Sequence, residues 1–221
     1  MLFIVATPIG NLEDVTLRTL KILREVDFIL AEDTRKAGRL IKAHNLPKKR
    51  FLSFYEHNER GRIKDIITLL KQGKNIALIS NAGTPLISDP GYKLVRRCLE
   101  EKIPLTSSPG PCAVINGLVL SGMPPDKFIF WGFLSKKSAQ RKNQLRELKM
   151  FKVTLIFFES PYRLYSLLKD IDEILGDKEV AVVREMTKVF EEVKKGRCQS
   201  LLEYFKDKKV KGEITVVVDN R

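Results

Sequence analysis

The sequence has too few cysteines and histidines to build a disulfide framework or a conventional metal site. Its three cysteines, Cys98, Cys112 and Cys198, are far apart, and no CxxC pair occurs. Its two histidines, His44 and His57, also stand outside any ligand spacing. We therefore predict free thiols and no metal centre.

Other missing motifs narrow the possible functions further. The chain contains no GxGxxG, no GxxxxGK[ST] and no GxSxG, so the dinucleotide fingerprint, the P-loop and the nucleophile elbow of hydrolases are absent. No apolar run approaches the roughly 18 residues that a membrane span needs. The apolar start, residues 1–10, has no basic residue before it and breaks at Pro8. We interpret it as a buried strand of a cytoplasmic protein and not as a signal peptide.

Basic residues are what the sequence has in excess. Forty Lys and Arg against 27 Asp and Glu give a net charge of +13. The excess is spread along the chain, with 19 basic and 12 acidic residues in residues 1–120 and 21 and 15 in residues 121–221. This balance favours a polyanionic partner such as nucleic acid, and general solubility is the alternative explanation.

Two stretches concentrate the basic residues. Residues 34–50 contain seven of them and no acid, and residues 135–149 contain six against one glutamate. They are Arg35, Lys36, Arg39, Lys42, Lys48, Lys49 and Arg50 in the first stretch, and Lys136, Lys137, Arg141, Lys142, Arg146 and Lys149 in the second. Clustered cations attract phosphates in a salt-dependent way. The alternative, a solvated helix face, is weaker for residues 34–50 because opposite charges are missing there.

The hydrophobic pattern predicts an α/β protein of two domains. Residues 1–120 alternate between strand-like and helix-like segments, which is typical of a mostly parallel sheet covered on both faces. The Gly/Pro-rich segment "SGMPPD", residues 121–126, is the best boundary. In residues 121–221 we predict a mixed sheet with about two helices, at 160–175 and 197–207. The alternating segment 188–196 predicts an antiparallel strand with one wet face.

Three Gly/Pro-rich loops follow apolar strands, at residues 7–14, 80–91 and 107–113. The carboxyl ends of parallel strands gather at one edge of a sheet, where ligands bind. Glycine lets the backbone approach a ligand, and proline holds a loop in one shape. Together the loops predict a rigid cup that suits a polar small molecule with an aromatic ring. Ordinary strand-to-helix connections are the alternative.

Carboxylates stand beside basic residues at the ends of three predicted strands, and either salt bridges or catalysis can explain them. The groups are Glu32 and Asp33 with Arg35, Glu159 with Arg163, and Arg184 and Glu185 with Lys188.

The ordered motifs resemble one family closely. They are "TPIGNLEDVT", "AEDTR", "SNAGTPLISDPG", "PGPCA", "GFL", "FFESPYRL", "REMTK" and "KGE", from Thr7 to Glu213. This series is similar to that of bacterial methyltransferases that modify the ribose 2′-oxygen of a cytidine in 16S ribosomal RNA, within the tetrapyrrole methylase superfamily. One position departs from the family pattern, since Asn81 stands where the usual S-D-A-G-T-P loop has aspartate.

The resemblance implies a fold, a cofactor and partners. It implies two α/β domains with the cofactor in the cleft between them, namely a cofactor-loop and RNA-facing domain at 1–120 and a cleft and dimer domain at 121–221. The cofactor would be S-adenosylmethionine, with S-adenosylhomocysteine as product, and the substrate would be 16S ribosomal RNA or the 30S subunit. The protein would be a homodimer. By position, the cofactor contacts would be Pro8, Asn81, Ala82, Gly83, Thr84, Pro111, Ala113, Phe158, Met186 and Glu213.

A methyl transfer to a ribose hydroxyl also needs a group that takes the proton. Our candidates for this base or for an orienting group are Glu32, Asp33, Glu159 and Glu185. The expected RNA contacts are Arg35, Lys36, Arg39, Lys136, Lys137, Arg141, Arg163 and Lys188. Two other functions remain open: a methyltransferase of the same fold acting on a tetrapyrrole or a protein side chain, and a non-catalytic RNA-binding module.

Overall fold

A computed structural model describes residues 1–221 as two compact units, Met1–Cys112 and Ala113–Arg221. Each unit is built around one five-stranded sheet, so the predicted α/β class with two domains is confirmed. None of the helices combines the length and the apolar character that crossing a membrane requires.

The first unit contains a fully parallel sheet. Its strands are β1 (Leu2–Val5), β2 (Phe28–Ala31), β3 (Arg50–Ser53), β4 (Ile76–Ile79) and β5 (Leu105–Ser108). Its helices are α1 (Leu17–Glu25), α2 (Thr34–Ala43), α3 (Glu59–Lys71) and α4 (Tyr92–Glu100), with a 3₁₀ turn at Leu12–Asp14. The strand order is β3-β2-β4-β1-β5, so the loops that follow β4, β1 and β5 leave neighbouring strands at the same edge.

Alternate residues of these strands pack against opposite helix layers. Leu2, Leu30 and Leu78 belong to a core shared with α3 and α4. Val5 and Ile29 belong to a second core shared with α1 and α2. Since both faces are covered, the central strands read as continuous apolar runs, which is the pattern that predicted a parallel sheet. Each fully buried Leu or Ile stabilises the fold by about 1.5–3 kcal/mol.

The second unit contains a mixed sheet. Its helices are α5 (Ala113–Ser121), α6 (Ser138–Lys149), α7 (Leu164–Leu175) and α8 (Cys198–Phe205), and its strands are β6 (Phe128–Phe133), β7 (Thr154–Glu159), β8 (Glu179–Arg184), β9 (Glu192–Arg197) and β10 (Ile214–Asp219). The strand order is β6-β7-β10-β8-β9, in which only β6 and β7 are parallel. The exposure of β9 alternates along its length. The predicted antiparallel strand is therefore present, although it begins at Glu192 because the preceding residues form a turn.

Helix α5 packs on the sheet of the second unit. A Cβ atom placed on Gly117 would lie 2.8 Å from Cγ2 of Thr215 on β10, so helix and strand are in close contact. The predicted boundary after residue 120 therefore falls at the end of α5, whereas the division of the structure comes just before this helix. Turn residues signal the end of a helix, but they do not say which neighbour the helix packs against.

Helix α6 is a third helix of the region 121–221, where the sequence predicted about two. Its buried face is formed by Arg141, Leu145 and Leu148, at the i, i+4, i+7 spacing of a helix. A charged residue occupies one of the three buried positions, so the apolar period is too short to recognise. The helix is therefore absent from the two helices predicted for this region, although a solvated helix face was the alternative interpretation of the basic stretch 135–149.

Candidate functional site

The loop after β4 meets the loop after β1 at Gly83. The amide of Thr7 donates to the carbonyl of Gly83 over 2.9 Å, and the amide of Gly83 donates to the carbonyl of Thr7 over 3.0 Å. Gly83 has φ +78°, and a Cβ atom there would lie 3.2 Å from Cγ2 of Ile9. Only glycine meets both conditions without strain, so the sequence dictates this close approach.

The loop after β5 joins the same place. The hydroxyl of Thr84 donates to the carbonyl of Pro111 over 3.0 Å, and that carbonyl oxygen lies 3.6 Å from the Cβ position of Gly83. The amide of Ala6 donates to the carbonyl of Ser108 over 3.2 Å. The three predicted loops therefore lie together at one edge of the sheet. Of the residues predicted to bind a cofactor, the structure groups Pro8, Asn81, Ala82, Gly83, Thr84 and Pro111 here.

Residues 80–91 are held in an unusual shape. Leu86 and Ser88 have φ of 73° and 65°, in the left-handed region that side chains disfavour. At the end of the loop, the amide of Gly91 donates to Oε1 of the buried Glu59 over 3.1 Å, and Lys93 Nζ donates to Oε2 over 2.9 Å. Strained non-glycine residues persist only where their surroundings hold them, and they concentrate at functional sites. Glu59 was not singled out from the sequence.

The three loops contain no basic residue, although the chain is strongly basic. No Lys or Arg occurs in residues 2–17, 75–92 or 103–126. A phosphate ligand calls for cations or for a glycine-rich cradle at a helix N-terminus. Loops without cations suit a neutral or positively charged ligand better.

Two carboxylates lie near each other at this edge, Glu32 after β2 and Asp89 in the loop after β4. Burial and the charge of Glu32 raise the pKa of Asp89 from 3.8 to about 6, against a hydrogen bond from Ser80. A carboxyl with a raised pKa close to neutrality can exchange a proton during catalysis. The sequence analysis does not single out Asp89, because the segment "SDPG" is typical of a turn. The available signal was an acidic residue placed two positions before Gly91, where the next helix begins.

Asp33 has a structural task at the start of α2. Its Oδ1 accepts from the amide of Arg35 over 2.9 Å, and its carboxylate also pairs with the Arg35 guanidinium. The side-chain hydrogen bond from Arg35 is the main reason why the pKa of Asp33 falls to about 2. Such a carboxylate is a helix cap and a weak base.

The exposed side of α2 is basic. Arg35, Lys36 and Arg39 are exposed, while Ala37 and Leu40 face the core. Arg35, Arg39 and Lys42 follow the i, i+4, i+7 spacing of one helix face. The structure therefore presents most of the first predicted RNA-binding stretch to solvent. Lys49 differs, because its Nζ donates to the carbonyls of Arg24 and Val26 at the end of α1.

The buried Glu159 pairs with the half-buried Arg163 at the end of β7. Glu159 Oε2 lies 3.1 Å from Nη2 of Arg163, and its Oε1 accepts from the amide of Ser160 over 2.8 Å. Burial raises the pKa of Glu159, against the hydrogen bond from Ser160 and the charge of Arg163. Arg163 Nη2 also donates to the carbonyl of Leu134 over 2.7 Å. This arginine therefore ties the loop after β6 to α7.

The segment after β8 forms a second strained turn. Glu185 and Thr187 have φ of 51° and 65°. Glu185 Oε1 accepts from Lys188 Nζ over 2.8 Å and from the amide of Glu213 over 2.9 Å, and Lys188 Nζ also reaches Glu213 Oε2 over 2.9 Å. Burial alone would raise the pKa of Glu185, but these hydrogen bonds hold it below its ordinary value. Met186 lies buried in the same turn, so four predicted site residues of the second unit lie together.

Two further predicted cofactor residues of the second unit occupy other elements. Phe158 on β7 packs against Phe130 and Phe133, with ring centroids 4.9 and 5.7 Å away. It lies opposite Thr215 in the sheet register. Ala113 opens α5 and is half-buried.

Arg141 is not available to RNA. It is 2% exposed, and its Nε donates to Asp170 Oδ2 over 2.6 Å. Its Nη atoms donate to the carbonyls of Ser135 and Ser166. We therefore withdraw Arg141 from the predicted RNA contacts, because a charged side chain buried and fully engaged in this way supports the fold. Lys136 and Lys137, before α6, are exposed.

The sequence was compared with known proteins. Residues 1–202 match the model of the family described as Tetrapyrrole (Corrin/Porphyrin) Methylases. A relative from Thermotoga maritima named Ribosomal RNA small subunit methyltransferase I is 50% identical over 220 residues, which cover 100% of this chain and 98% of that protein. A protein of the same name from Haemophilus influenzae is 44% identical, over 100% of this chain and 79% of the relative.

Solved structures give the same fold. A cobalt precorrin-4 methyltransferase superposes with a TM-score of 0.75 at 18% identity, covering 98% of this chain and 93% of the other. A uroporphyrin-III-C-methyltransferase from Thermus thermophilus superposes with a TM-score of 0.68 at 17% identity, covering 99% and 94%. At these identities the likeness concerns the fold alone. From the family match and the end-to-end relatives, the chain belongs to the tetrapyrrole methylase family, in the group of ribosomal RNA small subunit methyltransferase I.

Proposed function

We propose that this chain is an S-adenosylmethionine-dependent methyltransferase that modifies ribosomal RNA of the small subunit, with the ribose 2′-oxygen of a cytidine in 16S ribosomal RNA as acceptor. The observation that carries the proposal is the end-to-end match, at 50% identity, to a protein named as a ribosomal RNA small subunit methyltransferase. A ribosomal RNA substrate implies that the protein works in the cytoplasm, in contact with the 30S subunit.

The loops around Gly83 fit the proposed cofactor. The main chains of these loops come close together around Gly83, where even a Cβ atom would touch Ile9. Backbone amides and carbonyls in such a place can bind the edge of an adenine ring. The sulfonium of S-adenosylmethionine is positively charged, which agrees with the absence of Lys and Arg in the loops. We assign the cofactor contacts to Pro8, Asn81, Ala82, Gly83, Thr84 and Pro111 in the first unit, and to Ala113, Phe158, Met186 and Glu213 in the second.

Asn81 can serve this site without a negative charge. Its amide both donates and accepts hydrogen bonds, so it can hold a hydroxyl or an ammonium group of the cofactor. A neutral acceptor binds an ammonium group more weakly than a carboxylate does. We therefore expect Asn81→Asp to tighten cofactor binding and not to abolish activity.

The cofactor, when bound, supplies an electrophilic methyl group on its sulfonium. The chain must then orient a ribose hydroxyl and take up its proton. Among the carboxylates at the edge of the first sheet, Asp33 is committed to Arg35, whereas Glu32 and Asp89 lie near each other. We propose that Asp89 accepts the proton. Burial and the charge of Glu32 raise its pKa to about 6, which still leaves Asp89 ionised at neutral pH. Glu159 and Glu185 then orient Arg163 and Lys188 for contacts with the substrate.

RNA phosphates would bind to the exposed cations. These are Arg35, Lys36 and Arg39 on α2 and Lys136 and Lys137 before α6, all of them exposed. Such contacts release counterions, so the affinity should fall steeply with salt. Arg163 and Lys188 each have internal partners and would have to exchange part of these for phosphate oxygens.

We also propose a homodimer that covers the β6 edge of the second sheet. Strand β6 has only one neighbour, and its side chains Phe128, Trp131 and Phe133 are 39%, 39% and 56% exposed. An exposed apolar edge strand invites pairing unless another chain covers it. Light scattering after gel filtration tests this: Trp131→Glu should convert a dimer into a monomer, while Phe151→Glu, at the end of α6, should not.

Two experiments separate the proposed function from its rivals. Calorimetry with S-adenosylmethionine should show binding, and no binding would favour the non-catalytic RNA-binding module. A titration of 30S subunits should give an affinity that falls steeply between 50 and 200 mM salt, by about 10³-fold or more if six phosphates are contacted. An affinity independent of salt would favour a tetrapyrrole or protein substrate.

A further inference from the structure

A pocket of about 520 Å³ opens in the second unit between the β8–β9 hairpin, α8 and the segment before β10. Its lining includes Arg184, Phe190, Tyr204, Lys208, Lys209 and Lys211. Arg184 pairs with Ile214 in the sheet register, and Ile214 belongs to the core shared with Leu201 and Phe205 of α8. Thr215 and Phe158 point to the other face of the sheet, because successive side chains of a strand alternate. The pocket therefore lies on the opposite face of the sheet from Phe158, and Glu185, which accepts from the amide of Glu213, forms part of its lining.

One wall of the pocket is rigid. The hydroxyl of Tyr204 donates to Glu192 Oε1 over 2.9 Å, and Arg184 Nε donates to Glu192 Oε2 over 3.0 Å. The ring of Tyr204 is covered by Lys208 Nζ at 3.1 Å and by Lys194 Nζ at 4.2 Å from its centroid. Arg184 Nη1 donates to the carbonyl of Lys211 over 3.2 Å, which fixes the segment before β10. The wall needs no rearrangement before a ligand binds.

Three other side chains of the pocket, Phe190, Lys209 and Lys211, are free to contact a ligand. Phe190 is 72% exposed although it is a large apolar side chain. Lys209 and Lys211 are exposed and form no ion pair. The acids of the lining are already neutralised, since Glu192 pairs with Arg184 and Glu185 with Lys188. The pocket thus offers an aromatic face next to uncompensated positive charge.

We propose that this pocket binds one unpaired nucleotide of the RNA substrate, with its base on Phe190 and its phosphate on Lys209 and Lys211. Aromatic side chains beside cations are the combination that binds single-stranded nucleic acid, because every base has a face to stack and every linkage carries a phosphate. A paired base cannot stack on a side chain in this way, so the occupant is single-stranded. The pocket volume lies in the range of small-ligand sites. This inference rests on the proposed RNA substrate and adds a second contact site to it.

Fluorescence anisotropy with a labelled, unstructured RNA of about ten nucleotides tests the pocket directly. Phe190→Ala should weaken binding by about 5- to 150-fold, the loss expected for one stacked base, and Phe190→Trp should retain binding. Lys209→Gln combined with Lys211→Gln should lower the slope of log Kd against log salt by about 0.7, the value for one lost phosphate contact on a single strand.

Matched controls remove the same groups elsewhere. Phe151→Ala deletes another exposed aromatic ring, and Lys64→Gln combined with Lys152→Gln deletes two exposed lysines outside the pocket and outside both basic stretches. These controls should bind RNA as the wild type does. If the pocket variants behave like the controls while their thermal unfolding is unchanged, the inference is wrong.

Two further measurements identify the ligand of the pocket and separate this inference from the proposed function. Cytidine monophosphate should compete with the RNA only at much higher concentration; equal affinity would make the pocket a site for free nucleotides and overturn the RNA assignment. Methyl transfer to 30S subunits is measured separately. Normal transfer by the wild type, with unchanged RNA affinity of the pocket variants, would reject the pocket alone. Absent transfer by the wild type would reject the proposed function, while the anisotropy still decides whether the pocket binds RNA.

Discussion

Thr7 and Gly83 exchange two backbone hydrogen bonds, of 2.9 and 3.0 Å, across the gap between the loops that follow β1 and β4. The pair joins two loops that are far apart in the sequence, and Gly83 also touches the loop after β5 through Pro111. A change in the backbone of Gly83 must therefore shift all three loops at once.

Gly83→Ala should damage cofactor binding and stability together. The left-handed backbone of Gly83 costs an alanine about 1–2 kcal/mol, and the new methyl group would press on Ile9. We expect a lower free energy of unfolding in urea and at least tenfold weaker binding of S-adenosylmethionine in calorimetry. Gly61→Ala is the control, because nothing lies near its Cβ position in α3, and it should stabilise the protein by about 0.5–1 kcal/mol. Unchanged cofactor binding by Gly83→Ala would contradict the role given to this contact.

Glu59 should act on the site from a distance by holding the end of the loop after β4. Glu59→Ala removes the acceptor of the Gly91 amide and the partner of Lys93. The loss of a buried hydrogen bond to a charged group should cost about 1–3 kcal/mol, and Glu59→Gln should cost less because its amide oxygen can still accept from Gly91. Hydrogen exchange of the amides in residues 80–91 should become faster in the alanine variant. Protection of these amides in the alanine variant equal to that in the wild type would show that the loop holds its shape without Glu59.

Arg141 should matter for folding and not for RNA binding. Arg141→Ala removes the nearest charge partner of the buried Asp170, which keeps only Ser138 and the more distant Lys142, and should destabilise the protein by about 3 kcal/mol. Arg141→Met combined with Asp170→Leu removes both charges and should recover most of that loss. At a temperature where the double variant is folded, its RNA affinity should equal that of the wild type. A large drop in affinity with normal stability would restore Arg141 to the RNA contacts.

Asp89 should make stability depend on pH. Its pKa is 3.8 when unfolded and about 6 when folded, so the folded state binds this proton more tightly. The stability that results is fully present below about pH 4 and is lost as the pH rises through about 6. Relative to the wild type, Asp89→Asn should therefore gain free energy of unfolding between pH 4 and pH 6.

Asp33→Asn is the matched control for Asp89→Asn. The pKa of Asp33 is lowered from 3.8 to about 2 in the folded state, so its contribution is lost as the pH falls from about 4 toward 2. Between pH 4 and pH 6 its difference from the wild type should therefore change little. A pH-independent difference for Asp89→Asn as well would show that its carboxyl is not perturbed.

Much of this arrangement could be predicted from the sequence because it depends on local signals. Continuous apolar runs marked the parallel strands, and glycines and prolines marked the three loops of the site. The contacts that fix function are less visible. Asp89 stands among turn residues, and only the adjacency of β2 and β4 brings Glu32 near it. Arg141 reads as one cation of a basic stretch, and only the packing of α6 on α7 shows that Asp170 neutralises it.

The central claim, that this chain moves a methyl group from S-adenosylmethionine to small-subunit ribosomal RNA, is tested most directly by one assay. Purified protein is incubated with methyl-labelled S-adenosylmethionine and 30S subunits from a strain that lacks the corresponding enzyme, and the RNA is digested to nucleosides for mass spectrometry. We predict label in a single 2′-O-methylcytidine of 16S ribosomal RNA. Label in another nucleoside would correct the acceptor, and unlabelled RNA in the presence of bound cofactor would contradict the claim.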